Sequence, residues 1–154
     1  MTQRLNYVEA APQAMQLLFK QEAHIAQQFK EHERLTIGIL HLIKLRASQI
    51  NHCGYCVDMH NKEALAHGES IERLTSLVTW RDMPCYTEQE RAALLWCEAL
   101  TTGESIDDAL YQQVLQHVDE QALVELTVAI NAINSWNRIS KSFKPTVGSY
   151  QVSS

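Results

Sequence analysis

The scarcity of helix-breaking residues is the feature that most limits the fold of this chain. Its 154 residues include only five glycines and three prolines, and alternating apolar and polar β-branched runs are nearly absent. Apolar residues instead recur every three or four positions, which is the period of an α-helix with one buried face. We therefore predict an all-α fold, a single-domain bundle of about six or seven helices over residues 1–154.

Capping signals and apolar periodicity place the predicted helices along the chain. The capping box Thr87-x-x-Glu90 opens one of them after a central loop. The first predicted helix begins at residue 12 and ends within the charged stretch 30–34, and the others are predicted over 36–50, 55–67, 70–80, 87–100, 105–118 and 119–139. The second helix is apolar on most sides and should lie in the middle of the bundle. The tail 146–154 is polar and aperiodic, so we expect it either to fray or to dock on a neighbouring subunit.

Charge and hydropathy exclude several classes of partner. Lysine and arginine total 13 against 18 acidic residues, giving a net charge of −5 without the basic stripe that nucleic acid requires. Apolar segments long enough for a membrane span or a signal peptide are lacking, so we predict a cytoplasmic protein without a membrane partner. In the cytoplasm four cysteines stay mostly reduced, which favours catalytic, metal-binding or packing roles over structural disulfides.

One motif carries the chemistry of the chain. Cys53 and Cys56 form a Cys-x-x-Cys at a predicted helix start, where free backbone N–H groups favour a thiolate. His60 follows on the same helix face, so its ring can approach the sulfurs and exchange a proton with them. Two thiols at this spacing can also close to a disulfide, and one can resolve a sulfenic acid formed on the other. Asp58 and Glu63 are assigned to the solvated face of this helix.

Other uses of the motif are packing, zinc binding, haem attachment and a thioredoxin-type site. Zinc needs four ligands, and His52 and His60 would complete a Cys₂His₂ set only if the loop folded back. Covalent haem attachment is excluded because Val57, not histidine, follows the second cysteine. A thioredoxin domain is excluded because the chain offers no strands for βαβ units. Redox use, zinc and packing therefore remain open.

The residues around the motif resemble a known family. The stretch Leu45–Asn51, the motif Cys53-Gly54-Tyr55-Cys56, His60 and Gly68 together resemble the core of the AhpD-like, or carboxymuconolactone decarboxylase, family. The resemblance extends over about residues 15–100. It implies small helical subunits assembled as homo-oligomers, trimers or hexamers, with the site at the end of the Cys-x-x-Cys helix.

The cysteine pair places the sequence near the redox branch of that family. This branch implies peroxidase and disulfide reductase activity, with a hydroperoxide as substrate and a lipoyl or thioredoxin-like dithiol as reductant. No metal or organic cofactor is needed. By resemblance Cys56 is the peroxidatic thiol, Cys53 the resolving and more exposed one, and His60 the relay histidine.

The sequence departs from the family pattern at two points. By resemblance the relay glutamate of the family's peroxidases falls at His41, which either accepts the proton in its place or packs as an ordinary core histidine. Glu90 is a second candidate for the missing carboxylate, with its place in the capping box as the alternative. Gly54-Tyr55 also stands where those peroxidases tend to have a histidine between the cysteines.

Two rival functions remain open. One is a non-redox lactone decarboxylase-like enzyme, which would place cationic groups such as Arg46 or Arg81 near an apolar pocket. The other is a helical oligomeric module whose cysteines sense oxidation without turnover.

Overall fold

The computed structural model describes residues 4–153, and all regular secondary structure within that range is helical. The all-α prediction is confirmed. The described range contains eight α-helices: α1 (Tyr7–Ala10), α2 (Pro12–Glu31), α3 (Ile37–Ile50), α4 (Gly54–Ala66), α5 (Ile71–Ser76), α6 (Glu88–Thr102), α7 (Asp108–Leu115) and α8 (Glu120–Phe143). A 3₁₀ segment, Leu77–Asp82, continues from α5. None of the helices in this part of the chain has the length and apolarity to cross a membrane.

Helix α3 is the centre of the bundle. Thr36 caps its first turn, with the hydroxyl accepting from the Ile39 N–H at 3.2 Å. The helix packs against α2, α4, α6 and α8. One apolar cluster joins α3 to α2, α6 and α8, and a second joins it to α4, α5 and the 3₁₀ segment. The predicted central position is therefore confirmed, and it follows from a helix that is apolar on most sides.

The observed helices differ from the predicted ranges for local reasons. The helix predicted over 70–80 ends at Ser76, and Thr79 leaves helical geometry inside the 3₁₀ segment. The hydroxyls of Thr75 and Ser76 donate to carbonyls of the preceding turn, which weakens a helix at that point. Helix α8 runs further than predicted, to Phe143, and Lys144 ends it in the left-handed conformation at φ 49°. Helix α1 is one short turn that periodicity does not reveal.

The chain after α8 folds back onto the same molecule. We call residues 144–150 the C-terminal strap. Lys62 Nζ on α4 donates to the carbonyl oxygens of Gly148 at 3.2 Å and Tyr150 at 3.0 Å. The expectation that this tail frays or docks on a neighbouring subunit is therefore wrong for these residues. Its partner is helix α4, which carries the cysteine motif.

A polar network joins the end of α3 to the middle of α8. The Asn51 amide donates to the side-chain oxygens of Asn134 at 3.0 Å and Asn137 at 2.9 Å. The Asn137 amide in turn donates to Ser48 Oγ at 3.0 Å. Asn137 is fully buried, so its bond to Ser48 forms out of contact with water. The network fixes the point at which the chain leaves α3 for the cysteine motif.

Replacing Asn137 with alanine should destabilise the protein markedly. The change removes one buried and one partly buried hydrogen bond and leaves Asn51 and Ser48 each short of a partner, at a cost of about 2–4 kcal/mol. We expect the melting temperature to fall by about 5–10 °C in circular dichroism. Asn131→Ala, at an exposed position of the same helix, is the matched control. Equal melting temperatures for the two variants would show that the network contributes little.

Candidate functional site

The turn between α3 and α4 presents the cysteine motif. The Cys53 N–H donates to the Ser48 carbonyl and the His52 N–H to the Gln49 carbonyl, which closes the end of α3. His52 adopts φ 54° at this reversal, a conformation that histidine enters more readily than most residues. The chain then starts α4 at Gly54, with Cys53 as the N-cap residue and its sulfur accepting from the Cys56 N–H at 3.4 Å. Both sulfurs therefore lie at the N-terminus of a helix, where a thiolate is favoured.

Cys53 and Cys56 are joined in a disulfide, with Cα atoms 5.3 Å apart. The pairing predicted from the spacing is therefore possible without moving the backbone. The expectation that Cys53 is the more exposed of the two is wrong, because Cys53 is 2% and Cys56 3% exposed. What distinguishes them is direction: Cys56 lines an inner cavity, while Cys53 lines an adjoining outer groove beside the strap, and Tyr55 and Ser140 line both.

The inner cavity holds about 370 Å³. Cys56 and His60 line it from α4, as their spacing of four residues predicts. Most of its other walls are apolar or aromatic: Tyr7, Phe19, Tyr55, Met59, Ile133 and Trp136. Lys44 and Glu22 form an ion pair on its wall, and the Trp136 indole N–H donates to Glu22 at 3.1 Å. The cavity can therefore receive a small, mainly apolar molecule beside the Cys56 sulfur.

His60 is held by a carboxylate on its own helix. Its Nδ1 lies 2.9 Å from Glu63 Oε2, and Tyr150 donates its hydroxyl to Glu63 Oε1 at 2.8 Å. Burial opposes ionisation of Glu63, but the hydrogen bonds from His60 and Tyr150 outweigh it and lower the pKa of Glu63 to about 2. An ionised carboxylate only accepts hydrogen bonds, so Nδ1 carries the proton and Nε2 keeps its lone pair.

His60 and Tyr150 both keep the protonation state that this hydrogen-bond network requires. Burial lowers the pKa of His60, so the ring is neutral near pH 7. Burial and the neighbouring Glu63 raise the pKa of Tyr150 to about 12, so the phenol remains a donor. His60 therefore has the form of a general base, with one nitrogen fixed by Glu63 and the other free to take a proton.

His41, on α3, lines a cavity other than the one beside Cys56. Its ring packs against the His67 ring at a centroid distance of 4.7 Å, and both line a small cavity with Glu69. Both ring nitrogens of His41 are buried without a hydrogen-bond partner. Burial, together with the nearby His67, lowers the pKa of His41 to about 4. The structure does not bring His41 into the cavity with Cys56 and His60, and its relay role stays a prediction.

Replacing His41 with leucine should stabilise the protein, and more so in acid. The change removes two unpaired buried nitrogens. The pKa of His41 lies below that of an unfolded histidine, so the unfolded chain binds the extra proton first and native stability falls between about pH 6.5 and 4. We expect the melting temperature to rise by about 2–4 °C at pH 7.5 and by more at pH 5.

The exposed His24, replaced in the same way, controls for the loss of a histidine in general. A gain that is the same at both pH values would contradict the explanation. The same variant tests the relay prediction: a fall in peroxide turnover with the fold intact would support it, and unchanged turnover would leave proton transfer to His60.

The remaining sequence candidates lie in other ion pairs. Glu90 accepts from the Thr87 N–H in the predicted capping box, and its carboxylate also pairs with Arg73. Arg46 and Arg81 both pair with Glu98, and neither lines the cavity beside Cys56. Within residues 4–153, no three histidine, cysteine or acidic side chains come together in a way that could hold a metal ion.

The carboxylates and the tyrosine at the site are not among the residues predicted from the sequence. Glu63 was assigned to solvent, yet it follows His60 by three residues, and that spacing alone predicts a contact between them. Glu22, Lys44 and Tyr150 come from three other segments and reach the site only through the fold. Local sequence carries no signal for them.

The fold and the site together define a class of protein. Its members are all-α bundles with a disulfide-forming cysteine pair at the start of a helix and a buried histidine one turn further along. The chain belongs to the carboxymuconolactone decarboxylase family, whose sequence model matches residues 11–99. The AhpD-like resemblance is thereby confirmed.

Two relatives match nearly the whole chain. The uncharacterized protein YdfG of Bacillus subtilis (strain 168) is 39% identical over 142 residues, which is 91% of this chain and 93% of YdfG. The crystal structure of ATU0492 from Agrobacterium tumefaciens, a protein of unknown function with a suggested role as antioxidant defence protein AhpD, is 38% identical. It superimposes with a TM-score of 0.84 over 99% of this chain and 100% of that one.

A more distant structure shares the fold alone. The alkylhydroperoxidase AhpD core of an uncharacterized peroxidase-related protein from Ralstonia eutropha JMP134 superimposes with a TM-score of 0.76 at 15% identity. The alignment covers 90% of this chain and 74% of that one.

Proposed function

We propose that this protein is a thiol-dependent peroxidase that cycles Cys53 and Cys56 between dithiol and disulfide. The proposal rests on one observation, that the two cysteines line different openings, the inner cavity and the outer groove. Cys56 faces the inner cavity with a neutral histidine, and Cys53 faces an outer groove. A peroxide can thus meet one sulfur while a reductant approaches the other.

The first half of the cycle takes place at Cys56. His60 Nε2 takes the thiol proton, and the thiolate sulfur attacks the terminal oxygen of a hydroperoxide, ROOH. The O–O bond breaks, an S–O bond forms, and the leaving alkoxide receives the proton from His60 as the alcohol ROH. Cys56 is then a sulfenic acid, oxidised by two electrons, and the peroxide is reduced by two. The apolar walls of the cavity favour an organic hydroperoxide.

The second half closes and reopens the disulfide. The Cys53 thiol attacks the sulfenic sulfur, an S–S bond forms, and water leaves. A dithiol of the lipoyl or thioredoxin-like kind then attacks Cys53 from the groove, which holds about 510 Å³. Exchange through a mixed disulfide returns both thiols and leaves the reductant oxidised. Because a cellular dithiol must be at hand, we place this reaction in the cytoplasm.

Assembly into homo-oligomers is part of the proposal. Several large apolar side chains are exposed on the single chain, and these would be covered in a trimer or hexamer: Leu17, Ile71, Val78 and Val124. The suggested antioxidant role of ATU0492 supports the redox assignment. The rival lactone chemistry draws less support, because Arg46 and Arg81 are both engaged by Glu98.

The test combines intact mass with turnover. Reduced protein receives one equivalent of cumene hydroperoxide, and peroxide loss is then followed with dithiothreitol in excess. We expect a mass loss of two hydrogens and many turnovers per chain. Cys85→Ser, which removes a free thiol outside the motif, should behave like wild type. Oxidation once without turnover would favour the sensing module, and an unchanged mass would reject both redox functions.

A further inference from the structure

Tyr150 connects the C-terminal strap to the residues that orient His60. Its hydroxyl donates to one oxygen of Glu63 at 2.8 Å, and the other oxygen of that carboxylate accepts from His60 Nδ1 at 2.9 Å. Tyrosine, glutamate and histidine therefore form one chain of hydrogen bonds that ends at the wall of the Cys56 cavity. Of these three, Tyr150 is 87 residues distant from Glu63 and belongs to no helix.

The strap is held in place by contacts that do not involve the tyrosine side chain. Lys62 binds two strap carbonyls and also pairs with Asp58 at 2.8 Å. The Ser149 N–H donates to the Thr146 carbonyl, and Gly148 adopts φ 87° in that turn, which favours glycine. The strap backbone is thus anchored to α4, and the Tyr150 hydroxyl is presented to Glu63.

We propose that Tyr150 is a positioning residue for the proton relay of Cys56, acting through Glu63 on His60. A carboxylate held at both oxygens cannot rotate away from the imidazole, so His60 keeps its proton on Nδ1 and offers Nε2 to the cavity. The inference rests on the proposed function, because it assigns a residue to the relay that the peroxidase cycle uses. It gives the C-terminal strap a role in chemistry that takes place on α4.

The charge around His60 decides the direction of the expected effect. Titratable or charged groups face it from α2, α3, α4 and the strap: Glu22, His41, Lys44, Cys56, Glu63 and Tyr150. When the tyrosine hydroxyl is removed, the carboxylate charge of Glu63 is shared with one donor fewer. It then stabilises an imidazolium better, and the pKa of His60 should rise.

The test is Tyr150→Phe in the full chain, with Tyr111→Phe at an exposed position as the matched control. The pKa of His60 is read from ¹⁵N NMR of the reduced protein, a measurement that needs no turnover. We expect it to rise by about half a pH unit in Tyr150→Phe, which lowers kcat/KM about threefold on the acidic limb of the profile. An unchanged His60 titration would overturn the inference.

A second variant, Glu63→Gln, distinguishes a positioning role of Tyr150 from simple shielding of His60 by the strap. In Glu63→Gln the chain of hydrogen bonds is already broken, so adding Tyr150→Phe should cause no further change in the His60 pKa. The same rise in both backgrounds would mean that the tyrosine only shields His60 from water, and the inference would be rejected. If the rise depends on Glu63 but the wild type turns over no peroxide, the positioning role stands and the proposed activity falls.

Discussion

The Cys56→Ser variant is expected to lose peroxide turnover, with the rate falling about 10³-fold or more, to that of dithiothreitol alone. A serine hydroxyl at this position has no accessible anion near pH 7, and His60 alone cannot reduce a peroxide. The side chains have similar size and Cys56 lies at the edge of the cavity, so the fold should be retained. The measurement is peroxide loss at pH 7, with the melting temperature of the reduced proteins as the check on folding.

The Cys53→Ser variant distinguishes the roles of the two sulfurs and is measured alongside Cys56→Ser. Cys56 should still attack peroxide, but its sulfenic acid has no resolving thiol. Without a thiol reductant, we expect a single turnover and a mass gain of one oxygen, and dimedone should form an adduct with the sulfenic acid. If Cys53→Ser loses the first turnover and Cys56→Ser keeps it, the roles of the two cysteines are exchanged. If neither change affects turnover, the cycle is wrong.

Local signals explain why the helices could be predicted from the sequence. Thr36, Ser70 and Thr87 each cap a helix with a side-chain oxygen, and the apolar period identifies the face that each helix buries. Where a prediction failed, a competing local interaction decided the outcome. The hydroxyls of Thr75 and Ser76 bond back to their own helix, which ends early at that point.

The site divides in the same way between local and distant residues. Cys53, Cys56 and His60 lie within eight residues, so helix geometry alone predicts their proximity. Helix geometry also places Glu63 beside His60, but a charged residue on a helix is usually solvated, so Glu63 was predicted to face solvent. Tyr150 is 87 residues from Glu63, and its arrival depends on a left-handed turn at Lys144 that directs the chain back over α4.

The histidine positions illustrate the limit of transfer by resemblance. By resemblance His41 is expected to take the place of a relay carboxylate, and that role stays a prediction, because its ring lies against His67 in a separate cavity. Carboxylates do reach the cavity beside Cys56, but they come from Glu22 on α2 and Glu63 on α4. The same chemical group can therefore be supplied from a different position in the sequence, and only the packing of the helices reveals which one.

His60→Gln is expected to lower peroxide turnover by about a hundredfold at pH 7 and to change the shape of the pH profile. In the wild type, burial lowers the pKa of His60, so the neutral base persists below the ordinary histidine range and turnover should be maintained at pH 6. Glutamine cannot accept the thiol proton, so Cys56 must ionise without help. The rate of the variant should then rise with pH, as more of the Cys56 thiol ionises.

The control for that variant is His67→Gln, at the residue that follows the end of α4, whose side chain lines the cavity with His41. It should keep both the rate and the pH profile of the wild type. A His60→Gln variant whose profile keeps the wild-type shape at a lower rate would mean that His60 only packs against Cys56. The proton would then have to leave through another group on the cavity wall, and Glu22 beside Lys44 would be the next residue to replace.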